Sequence, residues 1–300
     1  MTTLAPRARA TARKRVVPTE QRRSKLLTLV MWAAVVYFLI PLYWLFVSAT
    51  KDNSDLFSTF GLWFGDHFAL FDNIVDVVTY QDGVYLRWVG NTVLYSVAGA
   101  AGATALATMA GYALAKYRFR GDIAVFSVIL GAVMIPLTAL SIPTYLLFSS
   151  AGLTNTPWAV ILPSIVTPFG VFLIRVYAAD AVDDNLLEAA RIDGAGEFRI
   201  FFQVTARLLQ PGIVTVFLFS LVATWNNYFL PLIMLNSPQL YPLTVGLAQW
   251  QATSAGGSGS QAMFSTVITG AFLAVLPLVL AFHFLQKYWT SGLAAGSVKG

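Results

Sequence analysis

LLTLVMWAAVVYFLIPLYWLFV, Leu26 to Val47, runs for 22 residues without a charge. A helix rising 1.5 Å per residue needs about 20 apolar residues to cross roughly 30 Å of hydrocarbon, so this stretch is long enough to span a bilayer. It is also longer than the core of a secretory signal, which holds about 7–15 apolar residues, and it reads as an anchor that stays in the membrane. Five similar runs follow, at about 88–115, 123–148, 158–178, 208–234 and 264–286. The expected fold is therefore an all-α integral membrane protein, a six-transmembrane-helix bundle.

The composition agrees. Hydrophobic residues make up 57% and charged residues 11%, with mean hydropathy +0.68, against roughly 45–50% apolar and about 25% charged in a soluble domain. The net charge of +5 is informative through its placement. Arg7, Arg9, Arg13, Lys14, Arg15, Arg22, Arg23 and Lys25 form a basic arm, residues 1–25, too polar to bury anything and expected in the cytosol. With that end inside, the second loop (KYRFRGD, Lys116 to Asp122), the fourth (Arg175, Arg191, Arg199, Arg207) and the tail (Lys287, Lys299) are also inside, and of the 19 Lys and Arg residues only Lys51 and Arg87 fall outside. Positive loops are retained in the cytoplasm, so both termini are expected there, in a cell-membrane protein.

Two outer segments stand out. Ser48 to Arg87 mixes Asp52, Asp55, Asp66, Asp72, Asp76 and Asp82 with aromatics, which suits a short helix on the membrane face and equally a solvated connector. Leu235 to Gln261 carries no charge, includes SAGGSGSQ, and is expected to be mobile. Gly99, Ala103 and Ala107 form a row that lets helices approach closely.

Several chemistries are missing. There is no cysteine, hence no disulfide or thiolate site, and no GxxxxGK[ST], HExxH or GxSxG motif. His67 and His283 are too far apart to form one site. No catalytic, cofactor-binding or metal-binding residues are assigned, and no nucleic-acid partner. No Asp, Glu, Lys or Arg lies deep in the six runs; Arg87, Lys116 and Arg175 sit near run ends. That disfavours an ion-driven mechanism, which usually keeps ionisable relays in the membrane. Backbone carbonyls and hydroxyls can hold Na⁺, so an ion-coupled secondary transporter without an ATPase partner stays as the alternative.

One charged island breaks the apolar pattern: NLLEAARIDGAGEFRIFF, Asn185 to Phe202. Asn185 and Glu188 have the spacing of a capping box, predicting a short helix over Leu186 to Asp193. Gly194 then supplies a left-handed stop and Gly196 loosens the turn. A second helix is expected from Glu197, with Phe198, Phe201, Phe202, Thr205 and Leu209 repeating at helical spacing. Such a knob suits a partner's groove, with Ala189 and Ala190 keeping it thin, Leu186 and Leu187 supplying apolar contact, and Glu188, Arg191 and Asp193 forming a charged rim. An amphipathic helix resting on lipid headgroups fits the same pattern.

EAARIDGA, Glu188 to Ala195, resembles the EAA loop of permease subunits of binding-protein-dependent ABC importers, in the form seen in their carbohydrate-uptake class. The resemblance extends over about Tyr85 to Gly300, through LRWVGNT (Leu86 to Thr92), GYALAKYRFRG (Gly111 to Gly121), MIP (Met134 to Pro136), WNNYFLPL (Trp225 to Leu232), YPLTVGL (Tyr241 to Leu247) and the final GSVKG. Among such permeases the chain is most similar to the smaller maltose type. The resemblance implies the type I importer permease fold, with a transmembrane domain over 26–290, a cytosolic coupling loop over about 180–207 and a tail over 291–300. It implies that Glu188, Ala189, Ala190, Arg191, Asp193 and Gly194 face an ATPase. It further implies a heterodimer with a second permease, a dimer of ATPases that bind the ATP and Mg, and an extracellular sugar-binding protein, all around a lipid bilayer. The cargo would be a carbohydrate, a di- or oligosaccharide. The segment Leu235 to Gln261 resembles the outer loop that probes the binding protein's pocket. Asn226 and Asn227 are the polar candidates along the sugar path; helix-to-helix hydrogen bonding accounts for them as well. The chain departs from the family at Val204, Ala206 and Arg207, where I-x-L-P usually stands, and at Asp183 and Asp184, where a proline commonly precedes the motif.

Overall fold

The computed structural model describes residues 24–255 and 263–295; the basic arm up to residue 23, most of the SAGGSGSQ stretch and residues 296–300 lie outside the described residues. All regular structure among the described residues is helical. Two units are distinguished, residues 1–43 and 44–300. The described part of the first is the opening of helix α1 (Lys25–Ala49), which continues through Pro41.

In the second unit α1 ends against the segment Ser48 to Arg87 that follows it, expected on the outer side. Asn73, buried, donates its amide to the carbonyls of Ala49 and Lys51, both at 2.9 Å. Those are acceptors that a helix C-terminus leaves without intrahelical partners. Lys51 is buried too, its ammonium on the carbonyl of Phe60 at 2.9 Å. The outer segment thus holds a short helix, α2 (Asn53–Ser58), capped by Asp52, and the beginning of α3 (Leu70–Lys116). Tyr80 to Gly83 interrupt α3 with non-helical dihedrals, Gln81, Asp82 and Gly83 all having positive φ. The long helix proper resumes after them.

Helix α3 is the hub. It packs against α6 (Trp158–Ser164), α7 (Pro168–Ala181), α11 (Gln210–Trp225), α13 (Leu243–Ala255) and α14 (Phe264–Ala295). The small-residue row makes this possible. A Cβ at Gly99 would stand 2.8 Å from the Cβ of Ser164, and one at Gly111 2.7 Å from that of Ile174, so the backbones meet nearly surface to surface. Arg175 of α7 donates to the carbonyl of Leu114 at 3.3 Å and lies 3.7 Å above the ring of Phe126. A cation on an aromatic face keeps part of its solvation that way inside an apolar bundle.

Among the described residues four helical stretches are long and apolar enough to cross a membrane: Lys25–Ala49, Leu70–Lys116, Trp158–Ala181 and Phe264–Phe284. A fifth is possible if Glu197–Leu208 and Gln210–Trp225, bent by 79°, count as one span. Of the six spans expected from the sequence, the described residues thus show four to five long apolar helices and not clearly six. The third run is divided into α4 (Asp122–Ala132) and α5 (Leu137–Ser150). Pro136 sits at the break; proline lacks an N–H and pushes the residue before it out of the α region, so the apolar run cannot stay one helix. The fifth run ends at Trp225 and restarts as α12 (Phe229–Met234).

The segment after Leu235 corrects a second expectation. Its described part is packed, with Leu235, Tyr241, Leu243, Val245 and Trp250 all buried. Side chains of α3 reach across to hold it: Trp88 donates to the carbonyl of Pro238 at 2.8 Å, Tyr95 to Leu240 at 2.9 Å, and Asn91 to Gln239 and Tyr241 at 2.8 and 3.0 Å. The hydroxyl of Thr92 accepts from the N–H of Leu243 at 2.8 Å. From the other side Asn155 accepts from the N–H groups of Asn236 and Ser237 and donates to the Ser237 hydroxyl. Lack of charge here reflects burial rather than mobility.

Candidate functional site

The charged island folds as two helices around a glycine turn. The first, α8 (Asp184–Ile192), is capped by Asp183, whose Oδ1 accepts from the N–H of Asn185 at 2.9 Å and from its side-chain amide at 2.9 Å. The cap is thus two residues earlier than the Asn185–Glu188 box read from the sequence. Both residues are good N-caps, and the carboxylate, which also favours the positive end of the helix dipole, takes the place. At the other end Gly194 has φ +80°. The N–H of Gly194 donates to Arg191 and that of Ala195 to Ala190, each at 3.0 Å. This is the paired-bond stop that a left-handed residue allows. Gly196 has φ −71°, open to any residue, and simply begins the next helix.

That second helix covers Glu197–Leu208, but not with the expected period. After α9 (Glu197–Arg199) comes a π-helical stretch, Ile200–Thr205, before α10 (Ala206–Leu208). The wide turn shifts which side chains face inward. Ile200, Thr205 and Leu209 are fully buried, whereas Phe198 and Phe202, expected on the same face, are exposed. An i→i+5 spacing brings Ile200 and Thr205 onto one side, where an α-helix would not. Where the resemblance would put a proline, Arg207 lets the helix run on to Leu208, and Pro211 then opens α11 after the bend.

The two helices seat on an apolar cluster formed by Leu187, Ile200 and Leu209 with Ala107 and Tyr112 of α3, Ile174 and Ala178 of α7, and Val216 of α11. Of the residues assigned to the loop's surface, Glu188, Ala189, Arg191, Asp193 and Gly194 are exposed, while Ala190 is half-buried against this cluster. Leu187, expected to serve a partner, is consumed by the protein's own core; Leu186 remains outside. Ile192, which sequence reasoning missed, and Phe198, which it set on the inward face, are the most exposed apolar side chains here, at 86% and 84%, one on either side of the glycine turn.

Arg191 does not stand free as a rim charge. Its guanidinium meets Glu197 at 2.7 and 3.3 Å, and the phenol of Tyr117, just past the end of α3, donates to the same carboxylate. Lys116 pairs with Asp184 at 2.8 Å. The electrostatics follow. The Arg191 and Tyr117 hydrogen bonds hold Glu197 below the usual carboxylate value, and the Lys116 bond does the same for Asp184. Burial first, and the Glu197 bond second, push the Tyr117 phenol up. Neither Tyr117, Lys116 nor Glu197 could have been assigned from local pattern, because Tyr117 and Glu197 are far apart in the chain.

Asn226 and Asn227 lie where α11 stops. Asn226 is exposed and donates to the carbonyl of Val222 in its own helix at 2.9 Å; the carbonyl of Asn227 accepts from the hydroxyl of Thr244 at 2.8 Å, tying the break to α13. Among the described residues no group of three or more His, Asp or Glu is placed to hold a metal ion.

Residues 103–293, which include α8 and the glycine turn, match the family described as binding-protein-dependent transport system inner membrane component. The arabinooligosaccharides transport system permease protein AraQ of Bacillus subtilis (strain 168) is 32% identical over 275 residues, covering 91% of this chain and 95% of that one. The lactose transport system permease protein LacG of Rhizobium radiobacter is 32% identical over 273 residues, covering 90% and 94%. The crystal structure of a bacterial ABC transporter involved in the import of the acidic polysaccharide alginate superposes with a TM-score of 0.77 at 21% identity, over 91% of this chain and 100% of that chain. The fold is therefore shared with that transporter. The chain belongs to the family of inner membrane components of binding-protein-dependent transport systems, and is a multi-pass membrane permease.

Proposed function

We propose that this permease carries a di- or oligosaccharide into the cell as one half of a six-plus-six-span heterodimer, driven by a separate pair of ATPases and supplied by an extracellular sugar-binding protein. The sugar class rests on the arabinooligosaccharides and lactose for which AraQ and LacG are named. In this reading α4 and α5 together make the third span and α11 and α12 the fifth. The positive loops put both termini, and the α8 knob, in the cytoplasm of a cell-membrane protein. The division into an arm (1–25), a transmembrane domain (26–290) with its loop at about 180–207, and a tail (291–300) follows from the same placement.

The observation that carries the proposal is the knob itself. A helix stopped by a left-handed glycine and backed by a packed cluster is stiff, and only a stiff element passes on a partner's displacement. Glu188, Ala189, Asp193 and Gly194 form its outer surface toward the ATPase, with Ala190 half-buried behind them and Ile192 and Phe198 as apolar anchors; Arg191 contributes by holding the knob's shape. Asn226 and Asn227 mark the polar end of the sugar path. ATP and Mg bind to the ATPase, not to this chain.

The test is purification from the native host followed by reconstitution. An ATPase should accompany the permease and be lost on Gly194→Val, and its hydrolysis should rise with one member of a panel of lactose, arabinotriose and maltotriose. Uptake that persists with no ATPase present refutes the reading.

A further inference from the structure

The knob is joined covalently to α7 through Val182 and Asp183 and to α11 through Leu209. It has no chain connection to α3, the helix against which most of the bundle packs. Yet it grips the end of α3 from both of its helices. Lys116 reaches Asp184 in the first turn of α8, and Tyr117 reaches Glu197 at the start of α9. Glu197 is the node, since it also accepts from Arg191 of α8. The rings of Tyr112, Tyr117 and Phe201 pack the same two elements together, Tyr112 lying edge-on 5.7 Å from Tyr117 and tilted 5.4 Å from Phe201.

The Arg191–Glu197 pair is half exposed, at 41% and 48% of its side chains. A pair so open to water adds little to stability. What it supplies is geometry: a bidentate fork fixes two helices in one orientation, and a third donor fixes both on α3.

We propose that Glu197 is a positioning residue that couples the α8 knob to α3, so that a displacement of the knob moves α3, and the helices packed on it, rather than only its covalent neighbours. This inference rests on the ATP-driven reading above.

The absence of cysteine makes a direct test available. Spin labels at Arg120→Cys, beyond the end of α3, and Phe202→Cys, on the knob's second helix, report their separation in the intact complex. With wild-type Glu197 the distance distribution should be the same with and without MgATP and vanadate, because the two elements move as one. With Glu197→Ala it should match the wild type without nucleotide and shift by about 2 Å or more with it, the scale of a helix displacement between states. Tyr117→Phe, which keeps the ring packing and loses only the hydroxyl, should shift by less.

If Glu197→Ala holds the distance as firmly as the wild type when nucleotide is added, the proposal is overturned. It is overturned also if the ATPase no longer copurifies with Glu197→Ala, since the residue would then serve docking. An ATPase missing already from the wild-type complex overturns the importer reading itself, and this one with it.

Discussion

Gly246 lies flush against the indole of Trp88, so closely that a Cβ added there would stand 2.2, 2.3 and 2.5 Å from three of its ring carbons. The contact joins α13 to α3 within a buried cluster that also holds Tyr85, Tyr95 and Trp225, where Trp250 meets Trp88 at 4.8 Å between centroids. Because Trp88 is fully packed and its Nε1 is committed to Pro238, it has no room to turn aside. Gly246→Ala is expected to cost about 1–3 kcal/mol by overpacking. The thermal midpoint of the detergent-purified protein measures this; an unchanged midpoint contradicts it.

Gly194 poses the opposite case. A Cβ there would meet nothing, and the constraint is the backbone alone, at φ +80°. Left-handed conformation costs an ordinary residue about 1–2 kcal/mol, less for asparagine. Gly194→Val should therefore open the turn and lose the ATPase, while Gly194→Asn keeps it. Copurification of both variants side by side decides the matter, and equal loss would mean that space, not conformation, is what the position guards.

Asn155 sits at φ 55° and spends its whole side chain on residues 236 and 237. Asn155→Gly removes those bonds without straining the backbone. Leaving the half-buried N–H of Ser237 without its acceptor, while the exposed N–H of Asn236 turns to water, should cost about 1 kcal/mol. Amide exchange at Asn236 and Ser237 should quicken in the variant, with α7 unaffected.

The knob's attachment should depend on pH in one direction only. Glu197 and Asp184 are both held below their ordinary values of 4.5 and 3.8. A carboxylate depressed by folding contributes stability above its unfolded value and loses it as pH falls through the folded one. Tyr117, shifted upward, stays protonated and keeps donating across the neutral range. Exchange protection of Ile200 to Thr205, corrected for intrinsic rates, should be flat from about pH 5 to 8 and fall only below the carboxylate range. A fall between pH 6 and 8 would show that other groups govern the attachment.

Much of the architecture was open to reading from residues in order. The Leu26–Val47 run became one helix because an apolar chain of that length satisfies its backbone bonds internally. The Gly99, Ala103, Ala107 row became the close face of α3. Gly194 stops α8 because only a residue without Cβ adopts that conformation freely. The misreadings share a different origin. Asp183 and Asn185 are equally fit to cap α8, and the choice between them is a few tenths of a kcal/mol of dipole and geometry. The π turn at Ile200–Thr205 answers to the shape of the cluster below it, and the firm seating of residues 235–255 answers to Trp88, Asn91, Thr92 and Tyr95, far upstream in the chain.

Local terms therefore lay in the sequence: length of apolar run, placement of Lys and Arg, the dihedrals that glycine and proline permit. These settled that the chain is helical, lives in a membrane and carries one polar knob. Which donor met which acceptor was decided only when α3 was brought against α7, α11 and the outer segment, because a hydrogen bond needs its partners within about 3 Å and the chain does not set that distance for residues far apart. Glu197 is the clearest instance: as a letter it begins a helix, and only the folded protein places it between Tyr117 and Arg191.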